Sequence, residues 1–416
     1  MLKKIIYDSA RYMLERFERN ADYPFIDTKF NIVSGRDFGS GDEDFRQRDF
    51  VYGWIQGRGM ESLAEHVAFF RAEGEAGLAE RLTRMLETVT DKMETLRRAN
   101  GGRIAFAMTP EGRPRFPGVG SYGNYSDLFY GKGLFAAAAL LGRNDLAAEA
   151  ENLFRRVVSD IGNGRFRSDQ HGFDPKNPVG FVPGKFAQGS RMIALYGLAR
   201  FGEAMPDGSY PDTAAEFIRY ILRHHAVLVP TTELRKFDFV EAVDGDGNVW
   251  RDGERILCDP GHALEFVGLA GKCLLLMRRL GKHAALIEEC REVLPELFRH
   301  IFDFGFQPEA GGIVKSFDLV SRRPVNSDMP WWSLPETMRA GAEMIALYPE
   351  RAAGIGERVE AARRAFLDGF IASGTHGFAC QTRDASGRPV EVVPAVPDAD
   401  PGYHTNLSLM DFLRLR

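Results

Sequence analysis

Two histidines stand just behind the same short turn: His262 in "CDPGHALEF" and His404 in "DPGYHTNL". An aspartate followed by proline is a helix-start signal, a carboxylate to cap and then a residue whose missing N–H costs nothing. Both rings therefore belong at the opening of a helix. The positive end of a helix disfavours an imidazolium, so both are expected to be largely neutral near pH 7. A neutral imidazole takes a weakly acidic proton, and its partner, once charged, returns one. Glu265 lies one turn from His262 on the same face, placed to orient that ring. In "YGWIQGR", Trp54 and Arg58 are one turn apart, and Arg58 could hold the negative oxygen of an enediolate. "PWWSLPE" adds Trp331, Trp332 and Glu336. Flat aromatic faces beside ionic hydrogen-bonding groups suit a sugar. Taken singly, each of these groups is more often a packing or capping residue; at matched positions of a repeat they point to a functional cleft.

The elements that must position them are helices. Apolar periodicity of about 3.6 residues runs through "MESLAEHVAFF", "DLAAEAENLFRRVVSDI", "SRMIALYGLARFG" and "ALIEECREVLPELFRHIF". One helix of each pair is small, apolar and rich in Gly and Ala, and the next is long and charged, the difference between a buried inner helix and a half-exposed outer one. Inner helices are expected to begin near Trp54, Leu128, Arg191, His262, Trp331 and His404, at intervals of roughly 60 to 75 residues. Six such pairs, with the N-terminal helix free to pair with the last, predict an all-α fold, an (α/α)6 barrel formed by one domain over residues 1–416. Its inner-helix starts would share one end of a central cavity. Long Gly-, Pro- and Asp-rich loops at 101–127, 161–190, 226–261, 304–330 and 375–403 would roof it. Hairpins are expected in "FDFVEAVDGDGNVW" and "FACQTRDASGRPVEVV". An open superhelical solenoid is the alternative architecture.

Composition narrows the class. The 416 residues are 44% hydrophobic, enough for a large core, and carry a net charge of −5 with acids and bases interspersed. No basic stripe offers a nucleic-acid surface, and no apolar run reaches the length of a membrane span. "MLKKIIYDSARYMLERFERN" reads as an amphipathic helix of the fold rather than a signal peptide. Cys258, Cys273, Cys290 and Cys380 lack metal-type spacing, which favours free thiols and a cytoplasmic setting. No metal and no cofactor is implied.

The motifs "YGWIQGR", "DPGHALEF", "WWSLPE" and "PGYH", in this order and spacing, resemble the signatures of the N-acylglucosamine 2-epimerase family. The resemblance runs from about Trp54 to the C-terminus, and "DPGHALE" is its most specific piece. It implies an (α/α)6 barrel, frequently a homodimer, acting on aldoses and ketoses without a redox cofactor. By the same resemblance, His262 and His404 match the two catalytic histidines, and Arg58, Trp54 and Glu265 match substrate-pocket positions. Trp332 and Glu336 match the tryptophan-rich helix, and Arg251 matches an arginine ahead of the "PGH" motif. The chain departs from the family in three places. A histidine common in the third inner helix is missing from "KFAQGSRMIALYGLA", Leu334 stands where a glutamine is common, and Leu407 where an arginine is often found. His171, Lys176 and Lys185, in the loop before the third inner helix, are candidate substitutes.

The chemistry so implied is 2-epimerisation of an N-acylated hexosamine through a cis-enediolate, with aldose–ketose isomerisation of mannose-like sugars as the alternative. A glycoside hydrolase or lyase using Glu265 and Glu336, or a non-catalytic carbohydrate-binding relative, are further alternatives. "GVGSYG" at 118–123 follows "RPRFP" instead of a strand and is no dinucleotide motif. "DGDGN" at 244–248 lacks the Gly and Glu of a calcium loop and reads as a hairpin turn. His224 and His225 are adjacent and point to different faces, which disfavours a metal site.

Overall fold

Apolar helices alternating with amphipathic ones build the computed structural model, which describes residues 1–173, 179–391 and 397–416; Lys176 lies outside the described residues. They form two compact units, residues 1–181 with 374–379 and 392–410, and residues 182–373 with 380–391 and 411–416.

The first unit holds α1 (Leu2–Arg19), α2 (Gly53–Ala72), α3 (Ala76–Ala99), α4 (Tyr125–Leu141), α5 (Asn144–Gly162) and residues 405–410 of α12 (Thr405–Arg414). Helix α4 shows how the local sequence sets an element. The Asn124 side chain accepts from the Asp127 N–H at 2.8 Å, the stretch from Ser126 to Leu134 buries on every side, and Gly142 ends the helix in the left-handed conformation. Helices α2 and α4 pack side by side, with α3 against α2 and α5 against α4. The long α3 and α5 bury one stripe (Leu82, Met85, Leu86 and Val89; Leu146, Leu153, Phe154 and Val157) and leave most of their charges to water, with Glu94, Arg97 and Asp160 buried. Asn406 of α12 donates to Ser9 Oγ of α1 at 2.8 Å and is 2.8 Å from His66 Nε2 of α2, so the first and last helices meet through a buried amide. Burial pulls the His66 ring down to about 4.

The second unit holds α6 (Gly189–Ala204), α7 (Tyr210–His224), α8 (Pro260–Arg279), α9 (Ala284–Gly305), α10 (Ser333–Leu347) and α11 (Ile355–Ala365). Again the apolar members α6, α8 and α10 lie in a row, and α7, α9 and α11 back them. All six expected inner helices are present, starting at Gly53, Tyr125, Gly189, Pro260, Ser333 and Thr405, close to their expected places.

Strands are few and short. The turn at Asp244 is the expected hairpin: its carboxylate accepts from the N–H groups of Asp246 and Asn248. A further set had no counterpart in the sequence reading. Leu257–Cys258 pairs with Ser316–Asp318, which pairs with Arg323–Asn326, inside what was expected to be a plain loop at 304–330. Its register, Leu257 opposite Asp318 and Cys258 opposite Phe317, carries the chain on so that Lys315 arrives beside the turn opening α8. All four cysteines are buried and free. No helix of the described residues is long and apolar enough to cross a membrane.

Candidate active site

In the first unit, the starts of α2 and α12 bring Trp54, Arg58 and Tyr403 together. The Arg58 guanidinium lies 4.1 Å from the Phe129 ring centroid and 5.2 Å from those of Trp54 and Tyr403. Three aromatic faces thus hold a cation in place while covering it from water. Trp54 is 4% exposed, and its buried indole N–H has no hydrogen-bond partner among the described residues. A buried donor left this way costs stability unless a ligand supplies an acceptor. Beneath them, the buried Lys132 of α4 donates to the Tyr403 hydroxyl at 2.5 Å and lies 3.4 Å from Glu61. His404 follows Tyr403, with the two rings edge-on at 5.0 Å. Asp400 caps the turn, accepting from the N–H groups of Tyr403 and Thr405 at 2.9 Å and of His404 at 3.4 Å.

In the second unit, Asp259 caps α8 and accepts from the His262 N–H at 3.2 Å. The His262 ring is 5.2 Å from the Trp332 ring and nearly parallel to it. Its Nδ1 lies 2.9 Å from Glu241 Oε1 and 3.3 Å from Asp259 Oδ2. Glu241 and Asp259 are thus the carboxylates that meet Nδ1 of this ring. With Nδ1–H pointed at carboxylates, Nε2 is left for proton transfer. The expected neutrality fails here. Burial pulls the imidazolium down, but Asp259 and then Glu241 outweigh it and push His262 up to about 9. Two charges within hydrogen-bonding reach overcome the partial charge of a helix end.

The remaining expected residues are placed as follows. Glu265 is buried on α8, where its charge acts on Lys315 and Arg339. Glu336, in the first turn of α10, is ion-paired with Arg339 one turn on, and both are buried. Arg251 is exposed and pairs with Glu233 of its own loop. His171 stacks on Phe116 at 3.8 Å, and Lys185 pairs with Asp252 at 2.9 Å.

Three groups escaped the sequence reading. Glu241 sits in "FDFVEAV", where strand alternation gave no hint of its partner. Its backbone N–H bonds to Leu257 and its carbonyl to the Gln188 N–H. Gln188, just before α6, is wholly buried with neither amide atom paired among the described residues. Lys315 Nζ is 2.5 Å from Asp259 and 5.4 Å from the Trp332 ring centroid.

Known structures share this fold. A D-mannose isomerase matches with a TM-score of 0.69 at 15% identity, over 97% of each chain. Cellobiose 2-epimerase from Bacillus thermoamylovorans matches at 0.67 and 12%, over 97% of this chain and 99% of its own. The unsaturated glucuronyl hydrolase from Bacillus sp. GL1 matches at 0.52 and 16%, over 100% and 97%. At these identities the likeness is one of fold, the all-α (α/α)6 class expected from the helix pairs. No curated protein matches the sequence. The profile of the N-acylglucosamine 2-epimerase (GlcNAc 2-epimerase) family matches residues 93–405, a span that includes His262 and His404. The chain belongs to the N-acylglucosamine 2-epimerase family.

Proposed function

We propose that this isomerase-class enzyme interconverts sugars by moving a proton beside the carbonyl of the ring-opened form, most specifically by 2-epimerisation of an N-acylated hexosamine. His404 takes the C2 proton as the electron pair shifts to the carbonyl oxygen, giving an enolate (an enediolate where C2 bears a hydroxyl) whose charge Arg58 holds. His262, already charged, gives a proton to the opposite face of C2, and the carbonyl re-forms. The two rings then trade protons with water before the next turnover. Trp54, Trp332, Glu265 and Glu336 serve as the sugar-binding groups, with Arg251 in an outlying role. The observation that carries this reading is the His262 ring, fixed through Nδ1 by two carboxylates and charged at neutral pH.

Return of the proton at C1 instead of C2 would make the enzyme an aldose–ketose isomerase with the same residues. The missing histidine of the third inner helix favours epimerisation of an N-acylated substrate. A hydrolase would need Glu336 as a free acid, and its buried pair with Arg339 opposes that.

The test is NMR of N-acylglucosamine, mannose and cellobiose in D2O with the wild type, His262→Ala and His404→Ala. Deuterium entering at C2, absent with either variant, is the expected result. Entry at C1 selects the isomerase, and release of a reducing end without exchange sinks the proposal.

A further inference from the structure

His262 must do more than give a proton. An epimerase works in both directions, so the ring that donates in one must accept in the other. Two carboxylates against one imidazole make the ring hold its proton, a weak donor that is seldom free to accept. The second unit contains a counterweight. Lys315 reaches the turn before α8 because its strand pairs with Leu257–Cys258, and its own N–H is fixed to the Asp328 carbonyl at 2.7 Å. Its ammonium is 2.5 Å from Asp259 Oδ2, nearer than the His262 Nδ1 at 3.3 Å on the same oxygen. It also lies over the Trp332 ring that faces His262.

We propose that Lys315 is a positioning residue for proton transfer by His262, its charge on Asp259 offsetting part of that carboxylate's hold on the ring. This rests on the reading of His262 as an acid–base group. The charged groups facing the ring are Asp259 from the turn before α8, Glu241 from the neighbouring extended segment and Lys315 from the strand pair; Glu265 of α8 acts on Lys315. With His262 protonated, His262, Lys315, Asp259 and Glu241 carry two positive and two negative charges. Loss of the His262 proton leaves one excess negative charge. Without Lys315 it would leave two, and the ring would hold its proton more tightly. In accord with this, Lys315 acts to lower His262 while Asp259 and Glu241 raise it.

The test reads ionisation directly. Protein labelled with 15N-histidine is titrated without substrate, the His262 signal being assigned by its loss in His262→Ala. Lys315→Met should raise the His262 midpoint by about one pH unit, a tenfold change in its ionisation constant. Lys315→Arg, which keeps the charge, should leave it near the wild-type value. With a sugar that turns over, the falling limb of the pH–kcat profile should move by the same amount in Lys315→Met while KM changes little. A midpoint unmoved in Lys315→Met, or moved equally in Lys315→Arg, overturns the proposal. Because the titration needs no turnover, failure of every sugar tried would overturn the proposed function and leave this measurement standing.

Discussion

The two Asp-Pro-Gly turns are nearly identical in sequence and unlike in what surrounds them. In both, the aspartate caps a helix and the glycine is required, for different reasons. A Cβ on Gly261 would come within 2.8 Å of the Trp332 indole. Gly402 adopts φ +88° and a Cβ there would strike Ser62 and His66. The extra residue Tyr403 puts His404 four residues beyond its aspartate, where His262 is three beyond its own. That shift matters. Asp259 meets both the backbone and the ring of His262, whereas Asp400 bonds the backbone of three successive residues. One histidine sits among carboxylates; the other adjoins a tyrosine that carries Arg58 on its face and Lys132 on its hydroxyl. The local motif sets the helix start, and residues far off in sequence set the charge.

The largest effect tests whether both turns matter. His262→Ala and His404→Ala should each lower deuterium exchange into the sugar by at least about a hundredfold, the usual worth of a positioned general acid or base. If only one of them does, the other turn is a cap and the two-histidine scheme fails.

The next prediction acts on the carboxylate side alone. Glu241→Gln keeps a hydrogen-bond acceptor for Nδ1 but removes a charge, so the His262 midpoint should fall from about 9 by about one unit. The falling limb of the pH–kcat profile should move down by the same amount, displacing the optimum to lower pH. The same shift is visible in stability. A folded-state value raised above the usual 6.5 stabilises the protein fully below pH 6.5, and that contribution is lost as pH climbs through about 9. Its upper bound is about 3 kcal/mol, since each unit is worth about 1.4 kcal/mol. Urea melts at pH 6 and pH 10 should therefore converge in His262→Ala relative to the wild type.

On the cationic side, Tyr403→Phe removes the phenol that accepts from buried Lys132. The cost should be about 1–3 kcal/mol, a buried charged donor losing one of its partners. Lys132→Met with Tyr403→Phe should cost less than the sum of the two single changes, because the hydrogen bond between them can be lost only once. A double-mutant cycle by denaturant melts measures the difference, and strict additivity would show that the pair is uncoupled.

These variants also mark where sequence was enough. The helix pairs were legible because burial on all sides leaves an apolar stretch such as "FVGLAG" in α8, while burial on one side leaves periodic charge, as in α5. The starts of α4 and α8 were legible because a cap is a local bond, Asn124 to Asp127 or Asp259 to His262. Glu241 and Lys315 were not legible. Glu241 lies 21 residues from His262, and the strand pair that delivers Lys315 contains Pro324 and the polar Ser316, Asp318, Arg323 and Asn326 in place of clean alternation. Nor could the sign of the His262 charge be read from "DPGH", since it is decided by those two side chains.

The smallest effect should fall on Arg251. A family likeness pairs it with the substrate, yet it is exposed and tied to Glu233 within its own loop. Exposed pairs of this kind contribute about 0–1 kcal/mol. Arg251→Ala should therefore change stability by less than about 1 kcal/mol and kcat/KM by less than about threefold, well below the loss expected for Arg58→Ala, whose guanidinium lies under three aromatic rings. A tenfold rise in KM with kcat unchanged would mean that Arg251 leaves Glu233 to bind the sugar, and that the binding surface extends well beyond the helix starts. With both constants unchanged, recognition rests on the groups that the helix starts hold in place, and the two turns remain the level at which the enzyme's chemistry is set.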